Sequence, residues 1–237
     1  QDAPDDVGGP LGLGELRAKM SVEFRVSAEF SLAPLLPTLG PLATIFDVGC
    51  DHLEWSTKFF RAAAPAAAIY AFDPDPRHAA HIRENQTDKK LGVNFYPMAM
   101  ADTPGMRQFW QSSDEHPYSS SLRTPRTLGE IGQRWHFNEQ PISVPCSTVD
   151  IFCAENGINS IDLLHLDVQG AEDLVLKGAA EMLPKIRWIH TEHNVQDYVG
   201  HPGLDGIRAL LPGWQMVQCW AYDALFVNTP LLLSHEL

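Results

Sequence analysis

Basic residues are scarce in this chain of 237 residues: 17 lysines and arginines stand against 30 aspartates and glutamates, a formal net charge of −13 at pH 7. No run of Lys or Arg offsets that balance, and a nucleic-acid surface needs a basic stripe, so the sequence predicts no nucleic-acid partner. A small cation, by contrast, would meet a favourable field. Cysteine is rarer still. Cys50, Cys146, Cys153 and Cys219 are the four, scattered without C-x-x-C spacing, which predicts reduced thiols in a cytoplasmic protein rather than a zinc site or a disulfide framework. Long apolar runs are missing as well, so no membrane span is expected, since one needs roughly eighteen such residues. The opening QDAPDDVGGPLGLG is acidic and rich in Gly and Pro, unlike a secretory signal. Homo-oligomerisation is left open.

What is present is enough apolar residue, 44% of the chain, for one large core. Residues 1–40 read as a lead-in with helix-compatible stretches interrupted by Pro34 and Pro37, and residues 41–237 as one domain. From Ala43 the chain alternates buried strands with amphipathic helices, the pattern of parallel β/α units. ATIFDV, AAIYAF, GVNFYP, IDLLHLDV and KIRWIHTE read as strands. EWSTKFFRAAA, PRHAAHIRENQTDKK, VDIFCAENG, AEDLVLKGAAEML and GLDGIRALL read as helices, the second opening on Pro76, which suits a first helical turn. MRQFWQ suggests an added hairpin strand, and WQMVQCW with ALFVN a closing antiparallel pair. From Ser112 to Pro145 the pattern loosens, long enough to predict a functional loop or lid with some short helix.

In an open α/β sheet, ligands bind beyond the carboxyl ends of the strands. Asp47-Val48-Gly49 stands at one such end, where a glycine allows close backbone approach and the next helix start offers free N–H groups. Asp73 ends the next strand, some two dozen residues on, where a carboxylate can hold both hydroxyls of a ribose. Either acid alone can be a helix cap or a strand terminator; the two at successive strand ends favour a ligand. The full G-x-G-x-x-G is missing, so an adenosine ligand without pyrophosphate fits better than a dinucleotide.

FDVGCDHLEWS resembles the first motif of class I S-adenosylmethionine-dependent methyltransferases, and YAFDPDP resembles the second. IDLLHLDVQGAEDLVLKGA is similar to the signature of the FkbM family, whose usual form is close to I-D-L-L-K-I-D-V-E-G-A-E-x-x-V-L-x-G-A; His165 and Gln169 replace its commoner Lys and Glu. Leu53 stands where such proteins commonly carry a second glycine. The resemblance covers roughly Ile45 to Asn228. It implies a Rossmann-like α/β sheet of seven mainly parallel strands, with an antiparallel closing strand and helices on both faces. It implies S-adenosylmethionine as cofactor, with Asp47, Gly49 and Asp51 near its methionine end, Asp73 on the ribose, and the Ala99 backbone and Asp102 as candidates for the adenine edge. The activity it implies is O-methylation of a small-molecule hydroxyl on a sugar, glycolipid or secondary metabolite. Two rivals stand beside it: an NAD-dependent oxidoreductase or epimerase, and a cofactor-binding regulatory protein that has lost turnover, the latter motivated by Leu53.

Methyl transfer from a sulfonium requires alignment, exclusion of water and removal of the acceptor proton. Asp167 ends one strand and Glu192 the next, with His193 and Asn194 just beyond. Three readings stay open for them. Asp167, Glu192 and Asn194 form an oxygen-rich set suited to Mg2+ or a similar divalent cation. Without a metal, His193 or Glu192 would serve as base, making Asp167, Glu192 and His193 the catalytic candidates. In the third, Asp167 caps the following helix and Glu192 forms a structural hydrogen bond. His165 and His190 alternate with apolar neighbours and read as strand-packing residues. Tyr118, the serines of SSSL, Arg123, Trp135 and His136 are candidates for an acceptor pocket.

Overall fold

The computed structural model describes residues 31–114, 117–126, 137–193 and 197–234. Ten strands run in chain order: β1 Thr44–Val48, β2 Ala68–Phe72, β3 Asn94–Tyr96, β4 Ala99–Met100, β5 Gly105–Phe109, β6 Ile142–Ser147, β7 Ile161–Leu166, β8 Ile186–Glu192, β9 Trp214–Cys219 and β10 Asp223–Asn228. The helices are α1 Ser56–Ala63, α2 Pro76–Asn85, α3 Thr87–Leu91, α4 Val149–Asn156, α5 Glu172–Lys177, α6 Gly203–Ala209 and α7 Thr229–Ser234.

The main sheet has seven strands in the order β3-β2-β1-β7-β8-β10-β9. Every pairing from β3 to β8 is parallel, and β10 lies antiparallel to both β8 and β9. Strand order reverses between β1 and β7, which places a ligand crevice at their carboxyl ends. The strand and closing-pair expectations hold.

Period-2 alternation builds two cores from the same strands. Phe46, Val48, Leu164, Leu166 and Ile189 face one side and pack with Phe152 of α4, Val175 of α5 and Ile207 of α6. Ile45, Leu163, Trp188 and Leu225 face the other, under Phe60 of α1, Ile82 of α2 and Leu32, Leu35, Leu36 and Leu39. On that second face one row is polar. Asp47, His165 and His190 are register partners across β1, β7 and β8, with His165 Nδ1 2.9 Å from His190 Nδ1. Ser31 Oγ lies 3.2 Å from His190 Nε2 and donates to Asp223 Oδ2 at 2.9 Å. Burial pushes His165 down to about 3 and His190 well below its ordinary value, so both rings are neutral. They are strand-packing histidines, as their alternation predicts.

Three expectations need correction. The loosened stretch up to Pro145 ends in a strand: β6 pairs parallel with β4 and antiparallel with β5 in a second, three-stranded sheet. Pro145 masks it in the sequence, but β4 reaches only Cys146 and Ser147, so position 145 lies beyond that ladder. MRQFWQ accordingly pairs with β6 and not as a local hairpin with the strand before it. The long second helix is two, broken at Gln86, whose φ of 52° is left-handed.

Candidate active site

A cavity of about 450 Å³ opens beyond the carboxyl ends of β1, β2 and β7, lined by residues including Gly49, Asp51, Asp73, His78, Ala99 and Asp167. That volume lies in the range that takes one drug-sized ligand. Its edge carries two exposed aromatics, Trp55 and Tyr118.

The β1–α1 loop forms the near wall. Gly49 and Cys50 N–H both donate to Phe72 O, at 2.9 and 3.2 Å, pinning the loop to the end of β2. Gly49 is required there for a reason other than ligand approach. A Cβ at its φ of +84° would stand 1.8 Å from the carbonyl oxygen of Asp167. The glycine lets the ends of β1 and β7 touch. Asp51 and Leu53 are also left-handed, at φ 54° and 69°. Leu53 is fully buried in the second core and does not line the cavity, so its side chain does not obstruct the space.

Asp47 does not line the cavity either. It is wholly buried beneath the loop, accepting from Ser56 Oγ at 3.0 and 2.9 Å and from Thr57 Oγ1 at 2.5 Å. It ties β1 to the first turn of α1, whose cap residue Trp55 has no side-chain hydrogen bond to offer. Burial raises it to about 7, against the pull of the two hydroxyls.

Asp73 does face the cavity. Its Oδ2 accepts from Asp51 N–H at 3.0 Å and its Oδ1 from Asp75 N–H at 2.8 Å. Burial raises its pKa, with the contact to His78 pulling the other way. His78, which the motifs did not single out, sits between the acids: Nδ1 is 3.1 Å from Asp73 Oδ1 and Nε2 3.0 Å from Asp51 Oδ1. Its signal was position alone, one turn into a helix that starts directly after a cavity-facing strand end. Ala99 also lines the cavity, whereas Asp102 lies outside it, ion-paired with Arg107.

On the far wall, Asp167 follows β7 and faces the cavity with Val168 and Gln169. The Gln169 amide donates to Asp167 Oδ1 at 2.7 Å and to Glu192 Oε2 at 2.9 Å, joining the two acids from behind. Burial raises both carboxyls, and Glu192 rises far more, pushed further by the charge on Asp167. Glu192 is thus the harder of the two acids to ionise and keeps a proton at neutral pH. His193 turns away, its Nε2 3.2 Å from Trp220 O and 3.5 Å from Cys219 Sγ. Asn194 lies outside the described residues.

The turn after Gln169 is held by backbone and side chain together. Gly170, at φ +90°, donates its N–H to Glu172 Oε1 at 3.1 Å. The SSSL segment straps this turn to the cofactor-side helix. Ser121 Oγ donates to Gln169 O at 2.7 Å, Arg123 pairs with Asp173 at 2.5 Å, and Ser120 Oγ donates to Asp75 Oδ2 at 3.2 Å. Tyr198 OH closes the strap on Ser119 O. Trp135 and His136 lie outside the described residues.

The chain fits an adenosyl sulfonium ligand at this site: an acid at the end of β2, an acid-rich wall for a cation, and the buried His78 between Asp51 and Asp73 lining the same space. A divalent cation finds no support there, and Asn194 of the expected ligand set lies outside the described residues. Among the described residues no group of three or more His, Cys, Asp or Glu side chains is placed to hold a metal. The Gln169 amide already occupies both acids with its N–H groups. No helix among the described residues is long and apolar enough to cross a membrane.

Residues 47–217 match the methyltransferase FkbM domain. The chain is 36% identical to the 2-O-methyltransferase NoeI of Sinorhizobium fredii over 202 residues, which span 81% of this chain and 82% of that protein. It is 26% identical to the 31-O-demethyl-FK506 methyltransferase FkbM of Streptomyces tacrolimicus over 213 residues, 81% and 80% of the two chains. Among solved structures, the methyltransferase FkbM from Methylobacillus flagellatus KT superposes with a TM-score of 0.47 at 10% identity, over 78% of this chain and 43% of that one.

Proposed function

Because the chain belongs to the FkbM family of methyltransferases, we propose that it transfers a methyl group from S-adenosylmethionine to a hydroxyl oxygen of a small molecule. The observation that carries the reading is the cavity at the strand-order reversal, with Asp73 on one wall and Asp167, joined to Glu192 through the Gln169 amide, on the other. Two relatives whose names specify O-methyl chemistry support oxygen as the acceptor atom.

Bound at this site, the cofactor supplies an activated methyl on a sulfonium, so the protein need only align, shield and deprotonate. Asp73 holds the ribose hydroxyls. Asp51 and Asp167 set a negative field on either side of the methionine end, which favours the sulfonium cation. The Ala99 backbone, with Pro74, Met100 and Phe109 along the same wall, borders the adenine. Asp167 is the residue that would take the proton of the acceptor hydroxyl as that oxygen gains the methyl group. Glu192 and the Gln169 amide hold Asp167 in place behind the reacting groups, and no step is assigned to a divalent cation. The exposed rings of Trp55 and Tyr118 flank the entrance by which a ring-shaped acceptor would arrive.

Calorimetric titration with adenosylhomocysteine and, separately, with NAD tests the cofactor. Tight binding of the first and none of the second is the expected result, and the reverse would overturn the reading. Transfer of labelled methyl to a panel of glycosides and polyketide alcohols then tests the acceptor class. Tight cofactor binding with no transfer across the panel would favour a silent binding protein.

A further inference from the structure

A ribose hydroxyl is a donor and an acceptor at once, and a carboxylate satisfies only the first role. Asp73 therefore leaves the hydroxyl oxygens without donors. His78 stands beside it, 7% exposed and lining the same cavity. Both of its ring nitrogens lie close to carboxylate oxygens, yet neither makes an aligned hydrogen bond with any described residue. These ion pairs hold the ring at the cavity wall without saturating its N–H groups, so a ligand oxygen in the same space can take them.

The helix around it is built to hold the ring there. Asp75 caps α2 by accepting from Arg77 N–H at 2.9 Å, and Pro76 opens the first turn. Gln111 Nε2, Ser120 Oγ and the Arg77 guanidinium all bind Asp75. The first turn of α2 is thereby fixed against both the three-stranded sheet and the SSSL strap, and His78 with it.

We propose that His78 is the second half of the ribose clamp, its ring N–H groups donating to the hydroxyl oxygens whose protons Asp73 accepts. The inference rests on the cofactor reading above and extends it to a residue outside both cofactor motifs. Asp73, Asp51 and Asp75 face the ring, with His52 the other titratable neighbour at a ring separation of 6.1 Å. The acids outweigh burial and raise His78 to about 9, so that both nitrogens carry protons at neutral pH.

Adenosylhomocysteine and its 2′,3′-dideoxy analogue, titrated into wild type, His78→Gln and His78→Ala, provide the test. Losing a charge-assisted hydrogen bond is expected to weaken the parent ligand about tenfold or more. The analogue, which has no hydroxyls to receive the donors, should bind all three proteins nearly alike. In the wild type, the preference for parent over analogue should shrink as the pH passes about 9, a measurement that needs no variant to fold. Unchanged parent affinity in both variants would overturn the proposal, and so would an equal loss for both ligands, which would mark His78 as a support of the loop. A wild type that binds neither ligand would sink the cofactor reading and this inference with it.

Discussion

Two acid clusters stand at strand ends on opposite walls of one cavity, and the chain neutralises them in opposite ways. At β1 and β2, Asp51 and Asp73 face a histidine that the acids keep cationic. At β7 and β8, no cation among the described residues stands between Asp167 and Glu192. Burial leaves a proton on Glu192, and a neutral amide links the pair. A carboxylate with a fixed counter-charge can grip a polar ligand and change little during a reaction. A carboxylate linked to a protonated acid can accept a proton without leaving a bare buried charge. On the proposed function, binding and chemistry are separated by how each wall settles its electrostatics.

Asp167→Ala should break the contrast most severely. Turnover is expected to fall by about 100-fold or more, the scale of a general base, with adenosylhomocysteine affinity nearly unchanged. Labelled-methyl transfer beside calorimetry reads both, and an equal drop in the two would place Asp167 in binding instead. Gln169→Glu should come next. A third carboxyl where an amide now donates to two leaves them without that donor, so melting temperature should fall by several degrees, the scale of a lost buried polar contact. Magnesium should raise the melting temperature of this variant while leaving the wild type unmoved; a wild-type response would restore a metal reading.

Asp47→Asn should have a smaller effect whose sign depends on pH. Asp47 is raised to about 7 from an unfolded value of 3.8, so the folded state holds a proton between those values that the unfolded state releases. Wild-type stability should therefore decline as pH climbs through that window. The asparagine variant, which keeps an acceptor for Ser56 and Thr57, should gain on the wild type from acidic to mildly alkaline pH in denaturant melts. Parallel stability curves would show that Asp47 is not shifted. Glu192→Gln should do least, because a neutral amide replaces an already neutral carboxyl. Activity within about threefold of wild type is expected, against the large loss at Asp167; a collapse in turnover would mean that Glu192 works ionised.

The alternation of apolar and polar segments carried the sheet, its parallel core and its closing strand, because both periodicity and strand-end acids are local signals. That Asp73 and Asp167 stand at strand ends facing one cavity was legible for that reason. The roles of Asp47 and Gly49 were not. Both sit where a ligand motif would put them, yet one is a buried tie to Ser56 and Thr57 and the other a steric clearance for Asp167 O. The Gly49 constraint comes from a strand end more than a hundred residues away, and the Asp47 tie from hydroxyls nine and ten residues on, so a ligand motif encodes neither. Asp102 lies outside the cavity lining, paired with Arg107 five residues on. β6 was hidden by its proline, and His78 by belonging to no motif.

The polar row of Asp47, His165 and His190 does one thing more. These three side chains meet only when β1, β7 and β8 are aligned as found. Sliding β7 by a single residue would flip His165 toward Phe152 and leave an imidazole stranded among aromatic rings, while a leucine would face the carboxyl of Asp47. Neighbouring strands rich in Leu and Ile offer little else to choose between alternative alignments. The row therefore penalises any misregistered pairing of these three strands.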